Sequence, residues 1–265
     1  LQLFMTGCMP AVQANGPIAS VGYAIYGGER TARPAAGVQG DIADWILTKQ
    51  VSVLSLQPAA PNPGPPIVIM PGFGLAADSY LETPDGREGW AMDFVRRGYP
   101  VYLVEPSHTT RSGIDTGFYL KEGEPAKLFS WGGEHAWARW GLGPEPGVAY
   151  ADSRFPLGAW EKVVGMFAGV EAPEISGGKM VQHQVDANIA GLNSLLAGRP
   201  PAVILAHSAA GVSAFAYAAR HPNAVAAIIV VEPVGCPPSP SPPPPTQPSP
   251  PPPGSPPTSS SPPPS

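Results

Sequence analysis

Apolar and polar positions along the chain form short apolar runs separated by loops and by helix-like stretches. Two runs alternate apolar and polar residues, and four are continuous, as is typical of strands covered on both faces. The alternating runs are VGYAIYGGERT (21–31), which leads into a glycine turn, and WILTKQVSVLSLQP (45–58). The continuous runs are PIVIM (66–70), PVYLVE (100–105), AVILA (202–206) and AVAAIIVVE (224–232). The pattern therefore predicts six strands.

Three stretches between these strands have the spacing of apolar residues that is typical of an amphipathic helix. They are GREGWAMDFVRRG (86–98), VQHQVDANIAGLNSLLAG (181–198) and GVSAFAYAARH (211–221). The first places Trp90, Met92, Phe94 and Val95 on one side, with Gly98 as its C-terminal cap. Strands that alternate with helices predict an α/β fold with a mostly parallel, doubly wound sheet.

The long stretch between the fourth strand and the second helix has weak periodicity and many glycines and prolines. It runs from about residue 107 to residue 180 and holds four tryptophans, Trp131, Trp137, Trp140 and Trp160. We expect it to form a cap over the carboxyl edge of the sheet. The tryptophans suggest an apolar cap over a pocket, and packing within the cap is the alternative.

Residues 237–265 are almost entirely proline, serine and threonine, a composition that cannot bury a core. We expect a disordered tail after one α/β domain at 21–236, with polyproline II character and aromatic grooves as its partners. The tail resembles the hydroxyproline-rich segments of algal and plant wall glycoproteins, which implies a secreted or wall-associated protein. A linker to a further domain, and a cytoplasmic protein, are the alternatives.

Residues 1–20 form a separate N-terminal segment, in which LQLFMTGCMPAVQA fits the end of a signal peptide cut near Ala14. An ordinary ragged terminus is the alternative. The two cysteines, Cys8 and Cys236, could pair in an oxidising compartment, but their number and separation leave the pairing open.

The bulk charge and the side chains available narrow the classes of function. A net charge of −5 without a lysine or arginine cluster argues against a nucleic-acid partner. Apolar runs are too short to predict a transmembrane segment. Histidine and cysteine are too sparse for a zinc site, and no phosphate-binding GxxxxGK[ST] occurs, so we expect neither a metal nor another cofactor.

The segment LAHSAAG (205–211) joins a predicted strand to a predicted helix through Ser208. This is the context of a nucleophile elbow, a sharp turn that exposes a serine above the edge of a sheet. Ala206 and Ala210 stand where the usual motif has glycine, the smallest change available. A serine that caps the following helix is the alternative.

Two backbone amides are candidates for an oxyanion hole. One is the N–H of Ala209, the residue after the serine. The other is the N–H of Phe73 in PGFG (71–74), which follows the third strand and contains glycines that allow close approach of the backbone to a substrate. An ordinary tight turn is the alternative for PGFG.

Two long segments resemble the α/β-hydrolases, and more narrowly a group of bacterial serine esterases. They are ETPDGREGWAMDFVRRGYPVYLVEPSHTTRSGID (82–115) and AVILAHSAAGVSAFAYAARHPNAVAAIIVVEP (202–233). The resemblance implies a serine hydrolase acting on small carboxylic esters, with its catalytic acid after the sixth strand. Glu232 in VVEP matches that position, and a solvated carboxylate at a strand end is the alternative.

The same resemblance implies a catalytic histidine beyond the acid, and no histidine follows Glu232 in the sequence. Of the five histidines, His108 alone lies at the correct edge of the predicted sheet; His135, His183, His207 and His221 have less suitable positions. Three interpretations compete. The sequence is an incomplete copy of an active esterase, or a pseudo-hydrolase that binds without turnover, or a wall protein whose function lies in its tail.

Overall fold

The computed structural model describes residues 16–33, 44–115, 128–171 and 179–234, and the side chains of 179–183 are not among the described features. The predicted signal segment up to residue 15, both cysteines and the proline-rich tail therefore lie outside the described residues. The side chain of His183 lies outside them as well.

Six strands of the described chain form one sheet in the order β1-β2-β4-β3-β7-β8. Strands β4, β3, β7 and β8 are parallel, whereas β1 and β2 pair antiparallel at one edge. The strands are β1 Ile18–Arg33, β2 Asp44–Pro58, β3 Ile67–Met70, β4 Val101–Glu105, β7 Ala202–His207 and β8 Val225–Val231. The expectation of a mostly parallel sheet is confirmed.

Helices cover both faces of this sheet. The helices are α1 Trp90–Arg96, α2 Gly133–Trp140, α3 Trp160–Gly165, α4 Lys179–Leu196 and α5 Ala210–Arg220. Helices α4 and α5 pack on one face, where Ile189 and Ala214 meet Val68 and Ile204 of the sheet. Helix α1 packs on the other face. The sheet is thus doubly wound, as predicted.

The buried side of α1 differs from the predicted one. Ala91 and Val95 are buried, whereas the side chain of Trp90 is 49% exposed. Residues four apart lie on the same side of a helix, so the 91/95 pair faces the sheet. Met92 and Phe94 pack only partly against the core and flank this pair.

The predicted glycine turn after the first apolar run is wrong, because β1 continues through it. Gly27 pairs with Gln50 of β2, and the strand ends only at Arg33. A side-chain Cβ on Gly27 would lie 3.2 Å from the backbone of Gly191 in α4. Gly27 also has a φ of +69°, so a glycine here serves both the local bend of the strand and the close approach of the helix.

The described part of the predicted cap lies between β4 and α4. It contains α2, α3 and a small antiparallel sheet of β5 Leu128–Phe129 and β6 Val170–Glu171. Three backbone hydrogen bonds join it to loops at the sheet edge, each at 2.8 Å. Thr110 N–H donates to the Gly169 carbonyl, Ala168 N–H donates to the Gly74 carbonyl, and Glu171 N–H donates to the His108 carbonyl. The cap is therefore attached to the loops that follow β3 and β4.

Within the described ranges, no helix combines the length and the apolar character needed to cross a membrane. Among the same residues, no three histidine, cysteine, aspartate or glutamate side chains are grouped in a way that could hold a metal ion.

Candidate active site

Ser208 lies in a sharp turn between β7 and α5 and has a φ of +49°. Its N–H donates to the Val231 carbonyl of β8 at 2.8 Å, and its carbonyl accepts the N–H of Gly211 and of Val234, each at 3.1 Å. A left-handed conformation costs a non-glycine residue about 1–2 kcal/mol, so the surrounding bonds must hold it. Helix α5 begins with no side-chain hydrogen bond at its cap residue, Ala209.

Small residues allow other chain segments to lie close to this turn. Ala206 is fully buried and Ala210 is 6% exposed. A Cβ on Gly72 would lie 3.2 Å from the Ser208 Cβ and 3.0 Å from Nδ1 of His207. The PGFG loop therefore passes directly beside the serine.

The two predicted oxyanion-hole residues line the same small cavity. Phe73 lines it from the loop after β3, and Ala209 from the turn after β7. Neither N–H makes a backbone hydrogen bond within the part of the chain described. Gln184 and Asn188 of α4 and Ser213 of α5 complete the polar part of the lining. Phe73 and Ala209 thus share one cavity, and Gly72, which lies against Ser208, lines it as well.

Glu232 follows β8 directly, is exposed, and has a φ of +48°. Its charge acts on His207: burial lowers the pKa of that imidazole, and the nearby Glu232 carboxylate partly opposes the effect. Because Val231 and Val234 both bond the Ser208 backbone, the segment that carries Glu232 is attached to the serine turn.

His108 follows β4 in a left-handed conformation, with a φ of +60°. Its Nδ1 lies 3.1 Å from Oε2 of Glu171, and both side chains are over nine-tenths buried. The His108 carbonyl also accepts the N–H of Glu171 at 2.8 Å. Sequence reasoning missed Glu171, which lies 63 positions away and belongs to no motif. The pair joins the loop after β4 to the cap.

The other histidines with described side chains have different surroundings. His207 is half-buried beside Gly72, His221 stacks on Tyr217 at 4.8 Å between ring centres, and His135 contacts Trp131 at 5.5 Å. Among the described residues, no histidine ring is hydrogen-bonded to the Ser208 hydroxyl. The identity of the base stays a prediction, with His108 chosen only on its position along the chain.

A buried carboxylate that the sequence did not reveal supports the loop after β3. Glu105 is 7% exposed, and its Oε2 accepts the N–H of Ala77 at 2.8 Å. Arg111 lies between Glu105, with Nε at 3.6 Å, and Asp78, which it also contacts. Desolvation raises the pKa of Glu105 to about 7, although the Ala77 N–H and Arg111 both favour the ionised form.

A second polar network holds the residue after Pro106. Ser107 is fully buried, its N–H donates to Oδ1 of Asn188 at 2.9 Å, and its carbonyl accepts from Nε2 of Gln184 at 2.7 Å. Nδ2 of Asn188 also donates to the Ser213 hydroxyl at 3.2 Å. Helix α4 thus bridges the loop after β4 and the helix that follows Ser208.

A solved structure described as a novel bacterial esterase is similar to this chain. The similarity has a TM-score of 0.72 and a sequence identity of 26%, and it covers 84% of this chain and 71% of the esterase. Together with the strand order and the two helical layers, it shows that the chain has an α/β-hydrolase fold. This confirms the fold class that the sequence predicts.

A second similarity is found among curated proteins. The probable secreted lipase phiG of a fungus, Fungal sp., is 29% identical over 186 residues, which cover 68% of this chain and 48% of the lipase. The chain therefore matches about half the length of that relative. No family model matches the chain.

Proposed function

We propose that the chain carries the nucleophile site of a serine hydrolase that cleaves carboxylic esters. The observation that supports it most strongly is the left-handed φ of +49° at Ser208, on a strand-to-helix turn beside Gly72. Strain of about 1–2 kcal/mol at a non-glycine residue is kept where it serves a function, and an elbow needs it to expose the hydroxyl.

In the proposed reaction, Oγ of Ser208 attacks the ester carbonyl carbon while an imidazole base accepts the hydroxyl proton. The carbonyl oxygen becomes an oxyanion, and the N–H groups of Phe73 and Ala209 donate to it. The C–O bond to the alcohol then breaks, and the imidazolium returns its proton to the leaving alkoxide. Water enters by the reverse of these steps and releases the acid.

Glu232 is proposed as the carboxylate that orients the imidazole and stabilises its positive charge. Two features support this role. The residue stands at the end of β8, next to the β7 strand that carries Ser208, and backbone hydrogen bonds join its segment to the serine turn. Its exposure leaves room for an imidazole to approach.

The names of the two similar proteins support a class of substrate and a cellular destination for this chain. The similar solved structure is named an esterase and the similar fungal protein a probable secreted lipase. We therefore propose small-molecule or lipid esters as substrates, and secretion as the destination. Association with a cell wall through the proline-rich tail remains a proposal from composition alone.

The experiment that tests the nucleophile is labelling with a fluorophosphonate, which reacts with activated serines. We expect labelling of the wild-type chain and none of Ser208→Ala. Ser194→Ala is the matched control, because Ser194 is exposed on α4 and should label like wild type. Circular dichroism shows whether each variant is folded.

Labelling that persists unchanged in folded Ser208→Ala would contradict the proposal, since another residue would then be the nucleophile. A folded wild-type chain that does not label would show that Ser208 lacks a base within reach. Where labelling occurs, His108→Ala, His135→Ala and His207→Ala test three described histidines as the base.

A further inference from the structure

Five aromatic side chains form a continuous row from the PGFG loop across the cap. Neighbouring ring centres lie 5.1, 5.0, 5.7 and 5.5 Å apart along it. The row, named the aromatic ladder below, consists in order of Phe73, Phe129, Trp131, Trp140 and Phe167. These distances are within the range of direct ring–ring contact.

The ladder begins at the candidate oxyanion hole. Nε1 of Trp131 donates to the carbonyl of Phe73 at 2.7 Å. A Cβ on Gly74 would lie 2.6 Å from Cδ1 of Trp131, so only glycine allows this indole to lie against the loop. A Cβ on Gly72 would lie 3.2 Å from the Ser208 Cβ, so Phe73, the first ring of the ladder, directly follows the residue that lies against Ser208.

Exposure and ring contacts distinguish the cap tryptophans, a question that the sequence left open. Trp137 is 1% exposed and packs edge-on against Trp160 at 5.4 Å, so it belongs to the interior of the cap. Trp160 is half-buried and also contacts Trp140 and Phe167 of the ladder, at 6.1 and 6.4 Å between ring centres. Trp140 is 37% exposed, and the other four members of the ladder are partly exposed. Trp137 therefore builds the interior of the cap, and the ladder forms an accessible aromatic surface.

Such a surface is suited to an apolar ligand. Partly exposed aromatic rings that touch one another form a contiguous apolar patch, and patches of this kind mark binding sites more often than scattered apolar residues do. Apolar and aromatic side chains also line most small-molecule sites, with few polar groups to set orientation. Here the Phe73 and Ala209 amides are the polar groups, at one end of the ladder.

We propose that the aromatic ladder binds a large apolar group of the ester, an aryl ring or a long alkyl chain, while its carbonyl lies at the oxyanion amides. This specificity rests on the proposed function of Ser208. Esters with only small groups on both sides of the carbonyl gain nothing from the ladder and are poor substrates.

Binding can be measured without catalysis, by equilibrium dialysis of Ser208→Ala with methyl ketones, which resemble esters but cannot be hydrolysed. 2-Acetylnaphthalene represents an aryl group, 2-undecanone a long alkyl group and acetone neither. Trp140→Ala and Phe129→Leu change the ladder at two places. Trp45→Ala is the matched control, because Trp45 is 49% exposed at the start of β2 and contacts Arg30 instead.

We expect at least one of the two large ketones to bind, and acetone not to bind. Loss of one aromatic contact should weaken that binding about tenfold in Trp140→Ala or Phe129→Leu, and Trp45→Ala should leave it unchanged. The ketone that binds more tightly shows whether the ladder prefers an aryl ring or a long alkyl chain.

Two results would overturn the inference. One is the absence of binding by both large ketones to folded Ser208→Ala. The other is equal binding by folded ladder variants and the Trp45→Ala control. Fluorophosphonate labelling distinguishes these results from failure of the proposed function. If the wild-type chain is not labelled but still binds a large ketone through Trp140, the inference about the ladder stands and only the catalytic proposal fails.

Discussion

The loop after β4 and the turn after β7 lie at the same edge of the sheet, but they are held in different ways. Backbone hydrogen bonds and close packing of Gly72 and alanines hold the turn at Ser208. Buried side chains hold the loop after β4, where Asn188 bonds Ser107 and His108 contacts Glu171. Glu105 at the end of β4 also bonds Ala77 of the neighbouring loop after β3.

This difference separates the proposed nucleophile from the loop beside it. If the Ser208 hydroxyl attacks a substrate, it cannot be enclosed by side chains, and strain and backbone bonds must position it instead. The neighbouring loop can be buried, and there a polar group needs a specific partner because an unpaired one costs about 1–3 kcal/mol. We therefore expect substitutions in the loop to reduce stability and substitutions in the turn to affect mainly chemistry.

The largest effect is expected where the loop after β4 docks on β2. Gly113 has a φ of +69°, and a Cβ there would clash with the Gln50 carbonyl and lie 2.5 Å from Oγ of Ser107. Gly113→Ala should lower the free energy of unfolding by about 3 kcal/mol, measured by urea denaturation. Gly158→Ala is the control, because its Cβ would meet open space. Equal stability of the two variants would contradict the described docking.

The next effect is a pH dependence that originates at Glu105. Because burial raises the pKa of Glu105 to about 7 in the folded state, the neutral acid is favoured there. Its stabilising contribution is complete below the unfolded pKa of about 4.5 and is lost as the pH rises through about 7. Relative to Glu105→Gln, wild type should lose on the order of 2–3 kcal/mol between pH 4 and pH 8.

Urea denaturation of wild type and of Glu105→Gln at a series of pH values between 4 and 8 measures this effect. The titration of His207 is common to both and cancels in the difference. Glu134→Gln, a change at an exposed carboxylate on α2, should leave the pH profile of wild type unaltered. A wild-type profile parallel to that of Glu105→Gln would show that the carboxylate is solvated in solution.

A smaller effect is expected from the network that joins the two regions. Asn188→Ala removes the acceptor of the Ser107 N–H and the donor to the Ser213 hydroxyl, so it should cost about 2 kcal/mol of stability. Asn193→Ala on the exposed side of the same helix should cost less than about 0.5 kcal/mol. Chemical denaturation compares them, and a similar cost in both would mean that the buried bonds contribute nothing specific.

The smallest effect has the opposite sign. Glycine adopts a φ of +49° without strain, so Ser208→Gly should raise the free energy of unfolding by about 1 kcal/mol and abolish labelling by a fluorophosphonate. Ser194→Gly, in the last turn of α4, should instead lower stability by about 0.5 kcal/mol. If Ser208→Gly were as destabilising as Ser194→Gly, the turn would not be strained.

Most elements of the fold could be predicted because each depends on a local pattern. The apolar runs at 66–70, 100–105 and 202–206 became β3, β4 and β7, with bounds within one residue. The error at Gly27 shows the limit of such patterns. A glycine in an apolar run indicates either a turn or the close approach of another segment. At Gly27 that segment is α4, whose Gly191 lies 164 positions further along the chain.

At the candidate site, sequence reasoning found the residues that belong to motifs and missed those that support them. Ser208 and Glu232 were identified from a strand–turn–helix pattern and a resemblance, and both have a positive φ in the structure. Their catalytic roles remain predictions. Glu105, Glu171 and Asn188 have no local signature, since any buried polar residue looks the same until its partner is known.

The sequence by itself determined the alternation of strands and helices, the sharp turn at Ser208 and the composition of the tail, because each follows from neighbouring residues. Only the tertiary structure decided which tryptophans pack and which form the aromatic ladder, and that Arg111 lies between Asp78 and Glu105. Those contacts join residues that the chain separates widely, and burial and pairing are properties of the folded molecule rather than of a segment.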